Sequence, residues 1–193
     1  MTAQRKFWMR WRVRTGYPVG AIYLILAKPT IRLIAIGAAL AAVGLLVRGL
    51  AAGHLRKDKV LATTGPYAHT RNPLYLGSAL LACGFALAGS SWVGGIVVVL
   101  YFVVFYYAVM RNEEEDLRVR FGPPFLRYAH LVPLFFPRAV NPASLADLRD
   151  PDSPAGFSWA LYKRNREYRA LLGTILGLAV LWLRMWIRAR YGY

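Results

Sequence analysis

The chain has 193 residues, 57% of them hydrophobic, and its 25 Lys and Arg against 9 Asp and Glu give a formal charge of +16. Its apolar residues stand in nearly charge-free blocks instead of alternating at helical or strand period, which excludes an ordinary water-soluble domain and points to lipid. The basic residues flank those blocks, where anionic headgroups lie, and no groove-reading motif accompanies them, so membrane lipids and not nucleic acid are the expected partners.

Residues 5–14 carry five basic side chains among Phe7, Trp8, Met9, Trp11 and Val13, a mixture suited to a headgroup-level anchor. The apolar run at 16–27 is shorter than the roughly 20 residues of a spanning helix. It is ended by Lys28-Pro29-Thr30, with no small-residue cleavage site of a secretory signal. Residues 31–52 make a full span in which Gly37, Ala38, Ala41 and Gly44 permit close helix contact, while Arg32 and Arg48 near its ends can snorkel.

A polar segment at 53–72 leads to a third apolar block at 74–88, a turn at Gly89-Ser90-Ser91, and a fourth block at 92–110. The fourth ends in the aromatic cluster of Tyr101, Phe102, Phe105, Tyr106 and Tyr107. Cys83, the sole cysteine, sits in the third block and reads as a buried thiol. Residues 111–128 are highly charged yet keep a helical pattern, interrupted at Pro123-Pro124. Residues 132–137 are apolar but too short to span, 138–156 read as a surface loop, and a last block at 168–187 carries Arg184 near its end. These blocks predict an all-α, polytopic membrane bundle in one domain, 1–193, with about five transmembrane helices at approximately 16–30, 31–52, 74–88, 92–110 and 168–187. With five crossings, one side collects 5, 4 and 9 Lys or Arg from the N-terminus, 53–73 and 111–167. That side is expected to be cytoplasmic, although Arg184, Arg188 and Arg190 fall on the other.

Two of the charged segments carry candidate chemistry. Glu113, Glu114, Glu115 and Asp116 are consecutive, and acids at a helix start would simply favour its positive dipole end. Helical spacing sorts them: Glu114 and Asp116 have Arg118 and Arg120 at i+4, whereas Glu113 shares a stripe with Leu117 and Phe121 and should point inward. An inward carboxylate needs a cation, either a ligand's or an arginine from another segment. In the other segment, Gly65-Pro66 makes a turn, and Pro73 can open a helix whose free N–H groups suit a ligand carboxylate.

The pattern G-P-Y-x-x-x-R-N-P-x-Y-x-G at 65–77, then E-E-x-x-L-x-x-x-F-G at 113–122, then Val132, Pro133 and Pro137, resembles the isoprenylcysteine carboxyl methyltransferase and phospholipid methyltransferase superfamily. The resemblance implies an integral membrane methyltransferase using S-adenosylmethionine, with its cofactor pocket at the cytoplasmic face between segments 56–76 and 111–137. The family's cofactor contacts fall on Lys59, Val60, Leu61, Ala62, Tyr67, Asn72, Pro73, Leu74, Tyr75 and Glu113, with Glu114 beside it. Arg111 and Glu113 are the implied catalytic positions. The chain departs from the pattern at Asn72, where the family has His, and at Val109, where the eukaryotic members have a substrate-facing arginine; Arg111 is the nearest replacement. A lipophilic small molecule or lipid is the implied acceptor, and the bacterial inner membrane the expected location. No metal-ligand spacing links His54, His69 and His130. Alternatives are an NADPH-dependent sterol reductase of the same superfamily, a non-catalytic lipid-binding scaffold, and a small transporter, though no span holds a midplane acid.

Overall fold

A computed structural model describes residues 3–57, 59–151 and 156–191, apart from the side chains of residues 3–10, 12 and 13. The all-α expectation holds, with no strand among the described residues. The helices are α1 (Ala3–Leu26), α2 (Ile31–His54), α3 (Pro73–Ala88), α4 (Trp92–Phe121), α5 (Pro123–Leu131), α6 (Trp159–Arg164) and α7 (Tyr168–Tyr191), with 3-10 turns at Gly65–Ala68 and Pro142–Leu148.

Three of these, α2, α4 and α7, are long and apolar enough to cross a bilayer. The 16 residues of α3 are apolar but shorter, about 24 Å at the α-helical rise against a hydrocarbon core of about 30 Å. Large apolar side chains stay exposed along the long helices, among them Ile36, Val43 and Leu46 on α2, Leu100 and Val103 on α4, and Leu172 and Leu176 on α7. Such continuous apolar surface is untenable in water and natural in lipid. The chain is an integral membrane protein.

The helix boundaries modify three expectations. The N-terminal anchor and the first apolar run form one helix, because nothing in 14–16 breaks it and Pro18 removes only one ladder bond from its interior. Trp11 is exposed on it; the expected anchor at Phe7, Trp8, Met9 and Val13 lies outside the described side chains. Second, α4 continues unbroken through the acidic cluster to Phe121, so those acids lie far from a helix start and the dipole argument does not apply to them. Third, the expected surface loop at 138–156 contains the turn Pro142–Leu148, whose Leu145 and Leu148 are buried. Residues 152–155 of that loop lie outside the description.

The described residues divide into two compact units. One comprises Met1–Gly44, Ala79–Val109 and Ala170–Tyr193; the other Leu45–Ser78 and Met110–Arg169. The core of the first is Tyr23, Ala27, Ile34, Ala88 and Leu181. Here α2 and α3 touch backbone to backbone: a Cβ on Gly37 would lie 2.3 Å from the Gly84 carbonyl oxygen, and one on Gly84 3.0 Å from the Ala41 nitrogen. The end of α1 is tied down by polar contacts. Arg184 donates from Nε to the Ala27 carbonyl at 2.9 Å and from its terminal nitrogen to that of Ile25 at 2.7 Å. These are carbonyls a terminating helix leaves open. Cys83 is exposed, not buried as expected; on an apolar helix of a membrane protein, the exposed face meets lipid.

The second unit has a small core made of Leu61, Phe125, Tyr128, Val132, Leu145 and Leu148. Its α5 begins where Gly122, at φ 55, ends α4 and Pro123 restarts the helix. The end of α2 is capped by a distant segment. The Asn165 amide donates to the carbonyls of Ala52 at 2.9 Å and Leu55 at 3.0 Å, and the Ser158 N–H to that of Gly53 at 3.0 Å.

Candidate functional site

The candidate site residues all lie in this second unit. The loop that carries most of them turns at Gly65, whose φ of 58 favours glycine and whose absent Cβ would sit 2.7 Å from the His54 ring. Beyond Gly65–Ala68, the loop is stitched to the segment after α5. The Arg71 N–H donates to the Pro133 carbonyl at 2.9 Å, the Thr70 hydroxyl to that of Phe135 at 2.8 Å, and the Arg138 N–H to that of His69 at 3.0 Å. The Asn72 amide donates to the Leu134 carbonyl at 3.0 Å. The two motif segments 65–77 and 132–137 are thus one paired structure.

Asn72 also opens α3: its carbonyl accepts the N–H groups of Tyr75 and Leu76, both at 3.0 Å, with Pro73 at the first helical position. Its side chain stands in the family's histidine position and is committed to holding the loop. Tyr67 is buried under the same loop, and its carbonyl accepts the Tyr128 hydroxyl at 2.7 Å. Burial pushes the Tyr67 hydroxyl well above the ordinary phenol range, and the neighbouring Tyr128, Glu113, Tyr75 and Glu167 push it further. Glu113 on α4 and Glu167 just before α7 are thus both in the neighbourhood of this buried phenol.

On α4, Leu117 and Phe121 pack against the core, and Glu113 on the same stripe is half-buried. Glu114 departs from expectation. In place of its helical neighbour Arg118, which is exposed, it pairs with Arg71 of the loop at 2.7 Å and with Arg111 at 3.1 Å. The Glu114 side chain is 13% exposed and turned towards the loop, so helical spacing could not reveal its partner. Arg111 is largely exposed and held by Glu114.

Lys59 is exposed, Val60 and Ala62 are half-buried, and Leu61 contributes its side chain to the core. Asn72 and Pro73 are buried, whereas Leu74 and Tyr75 are half-buried. Among the described residues, three buried polar atoms at this loop lack a hydrogen-bond partner: Glu114 Oε1, which faces Arg71 in the ion pair, and two donors, the Thr63 hydroxyl and Arg71 Nε. Buried donors are seldom left so, and both suit the polar parts of a ligand.

Three contributors escaped the sequence reading. Arg48 does not snorkel: its Nε and one terminal nitrogen grip Glu167 at 2.5 and 3.1 Å, and its other terminal nitrogen donates to the Ser78 hydroxyl and, at 3.3 Å, to the Leu74 carbonyl. Glu167 and Tyr128 were missed outright. A signal for Arg48 was present, because it continues the stripe of Ile34, Gly37, Ala41 and Gly44, all buried.

With this geometry, the fold and site define a class: a helical membrane protein whose motif loop is paired with 133–138 and tied to the acidic extension of α4 through Arg71 and Glu114. Residues 30–123 match the phospholipid methyltransferase family, which spans α2 to the start of α5 and includes both principal motifs. Over those residues the chain is similar to that methyltransferase family, in agreement with the resemblance read from the motifs. A methyltransferase family implies a methyl donor. The cobalt-zinc-cadmium resistance protein CzcN of Cupriavidus metallidurans is 39% identical over 83 residues, 43% of this chain and 38% of its own length. The matched stretch thus spans well under half of that relative. No solved structure matches the chain.

Proposed function

We propose that this chain transfers a methyl group from S-adenosylmethionine to a lipophilic acceptor at the cytoplasmic face of a bacterial inner membrane. The observation that carries the reading is the half-buried Glu113 on the extension of α4, acting on the buried Tyr67 of the loop that opens α3. Its support is the family match over the segment holding both residues. The bacterial relative and the basic side of the chain support the location.

S-adenosylmethionine, when bound, supplies an electrophilic methyl group on a sulfonium. The residues divide the remaining work. Glu113 would hold the cationic part of the donor, and the positive end of α3 at Asn72 and Pro73 would attract its carboxylate. Thr63 and Arg71 offer the buried donors already described. Tyr67, neutral and buried, excludes water from the reacting centre. Direct methyl transfer requires alignment of donor and acceptor more than a strong acid or base, in keeping with a site built from hydrogen bonds and apolar packing. Arg111, exposed and fixed by Glu114, lies where an acceptor's polar end can meet it, and lipid is the acceptor's route of entry.

The test is calorimetric titration of the detergent-solubilised protein with S-adenosylmethionine. Glu113→Ala is expected to weaken binding at least tenfold, the range for losing a charge-assisted contact. Equal affinity in the variant would remove Glu113 from the site. Mass spectrometry of lipid extracts after incubation with labelled donor identifies the acceptor.

A further inference from the structure

Among the described residues, Arg48 and Glu167 form an ion pair with side chains only 21% and 8% exposed. They come from opposite ends of the second unit's sequence: Arg48 lies on α2 within the family match, and Glu167 lies 119 residues on, outside it. An ionisable pair on a membrane-spanning helix is costly to maintain and points to a use. Here the guanidinium does more than neutralise the acid. Its second terminal nitrogen holds the Leu74 carbonyl and the Ser78 hydroxyl, and that hydroxyl itself donates to the Leu74 carbonyl at 2.9 Å. Leu74 is in the first turn of α3, the turn that faces the donor in the reading above.

We propose that Arg48 and Glu167 are positioning residues for the methyl-donor site: Glu167 fixes the guanidinium as a fork, and the fork fixes the first turn of α3. The role rests on the methyltransferase reading. Glu167 reaches its place because Asn165 caps the end of α2, so the chain beyond the family match is fastened to the helix that carries Arg48. The action of Glu167 on the Tyr67 hydroxyl agrees with this placement. A bidentate fork is what a lysine cannot supply. The C-terminal part of the chain thus completes a site whose motifs all lie elsewhere.

The experiment uses the full chain in detergent and the double variant Arg48→Met/Glu167→Leu, because exchanging a whole buried pair for apolar residues usually preserves folding where removing one partner does not. Three quantities are measured: the melting temperature, hydrogen exchange at the Tyr75 and Leu76 amides, and affinity for S-adenosylmethionine. The expected result is an unchanged melting temperature, exchange about tenfold faster at those two amides, and donor affinity about tenfold weaker. Unchanged exchange overturns the coupling to α3. Faster exchange with wild-type affinity overturns the positioning role and leaves the pair structural. Wild-type protein that binds no donor overturns the functional reading and, with it, the role assigned here. Should the double variant melt well below wild type, Ser78→Ala decides, since it keeps the ion pair and removes only the hydroxyl bridge. It is expected to weaken donor binding about threefold, and wild-type affinity in it overturns the proposal.

Discussion

Tyr67 and Tyr128 are both buried in the second unit, the second donating its hydroxyl to the backbone carbonyl of the first. Both hydroxyls are raised above the ordinary phenol value of 10.0, chiefly by burial, although Arg71 partly offsets this at Tyr128. A folded-state value above the unfolded one means the native protein keeps protons that the unfolded chain releases. The stability these groups contribute is therefore complete below about pH 10 and is lost as pH rises above it. Titration of tyrosinate absorbance to pH 11 should leave Tyr67 and Tyr128 neutral in the folded protein and ionise them on unfolding. Tyr67→Phe and Tyr128→Phe should each remove one late-titrating tyrosine, and no change in either variant would sink the assignment. Glu113 was legible at this scale because its stripe partners Leu117 and Phe121 share its helix. Glu114 was not, because its partner Arg71 is on a separate loop.

Within single elements, α2 shows how one sequence pattern serves two purposes. Ile34, Gly37, Ala41 and Gly44 form a buried stripe at the spacing of one helix face. In its first half the small residues let α3 approach until backbone meets backbone, the packing expected of small-residue faces in lipid. Gly37→Ala should therefore lower the melting temperature in detergent by several degrees, since its Cβ meets a carbonyl oxygen that no side-chain rotation can move. Ala39→Val on the exposed face of the same helix is the control and should change it little; equal effects at both positions would contradict the packing. In its second half the stripe turns polar at Arg48. Helix limits were largely readable, since Lys28-Pro29, Gly89-Ser90-Ser91 and Gly122-Pro123 break the chain where expected. The turn Pro142–Leu148 was not, because its buried leucines are too few to show a period and depend on the core formed by α5.

For the whole molecule the question is which face of the membrane holds the site. The basic residues of 53–73 and 111–167 predict that both segments lie in the cytoplasm, opposite the turn at 89–91. The dissenting Arg184 has a separate explanation, as it caps the end of α1 and is retained for that contact. Single cysteines in a Cys83→Ser background test the prediction. Lys57→Cys and Glu115→Cys should react with a membrane-impermeant maleimide only in inverted vesicles, and Trp92→Cys only in right-side-out ones. The reverse pattern would move the site to the other face.

The sequence by itself determined that this is a helical membrane protein, where its helices break, and which two segments carry methyltransferase-type motifs. Those properties are written in runs of neighbouring residues, where hydropathy, helical period and turn chemistry act over a few positions. Only the tertiary structure decided that the loop is stitched to 133–138, that Glu114 meets Arg71, and that Arg48 meets Glu167. A charge buried at low dielectric takes whatever partner the packed chain brings within reach, and no local spacing records a partner more than a hundred residues away.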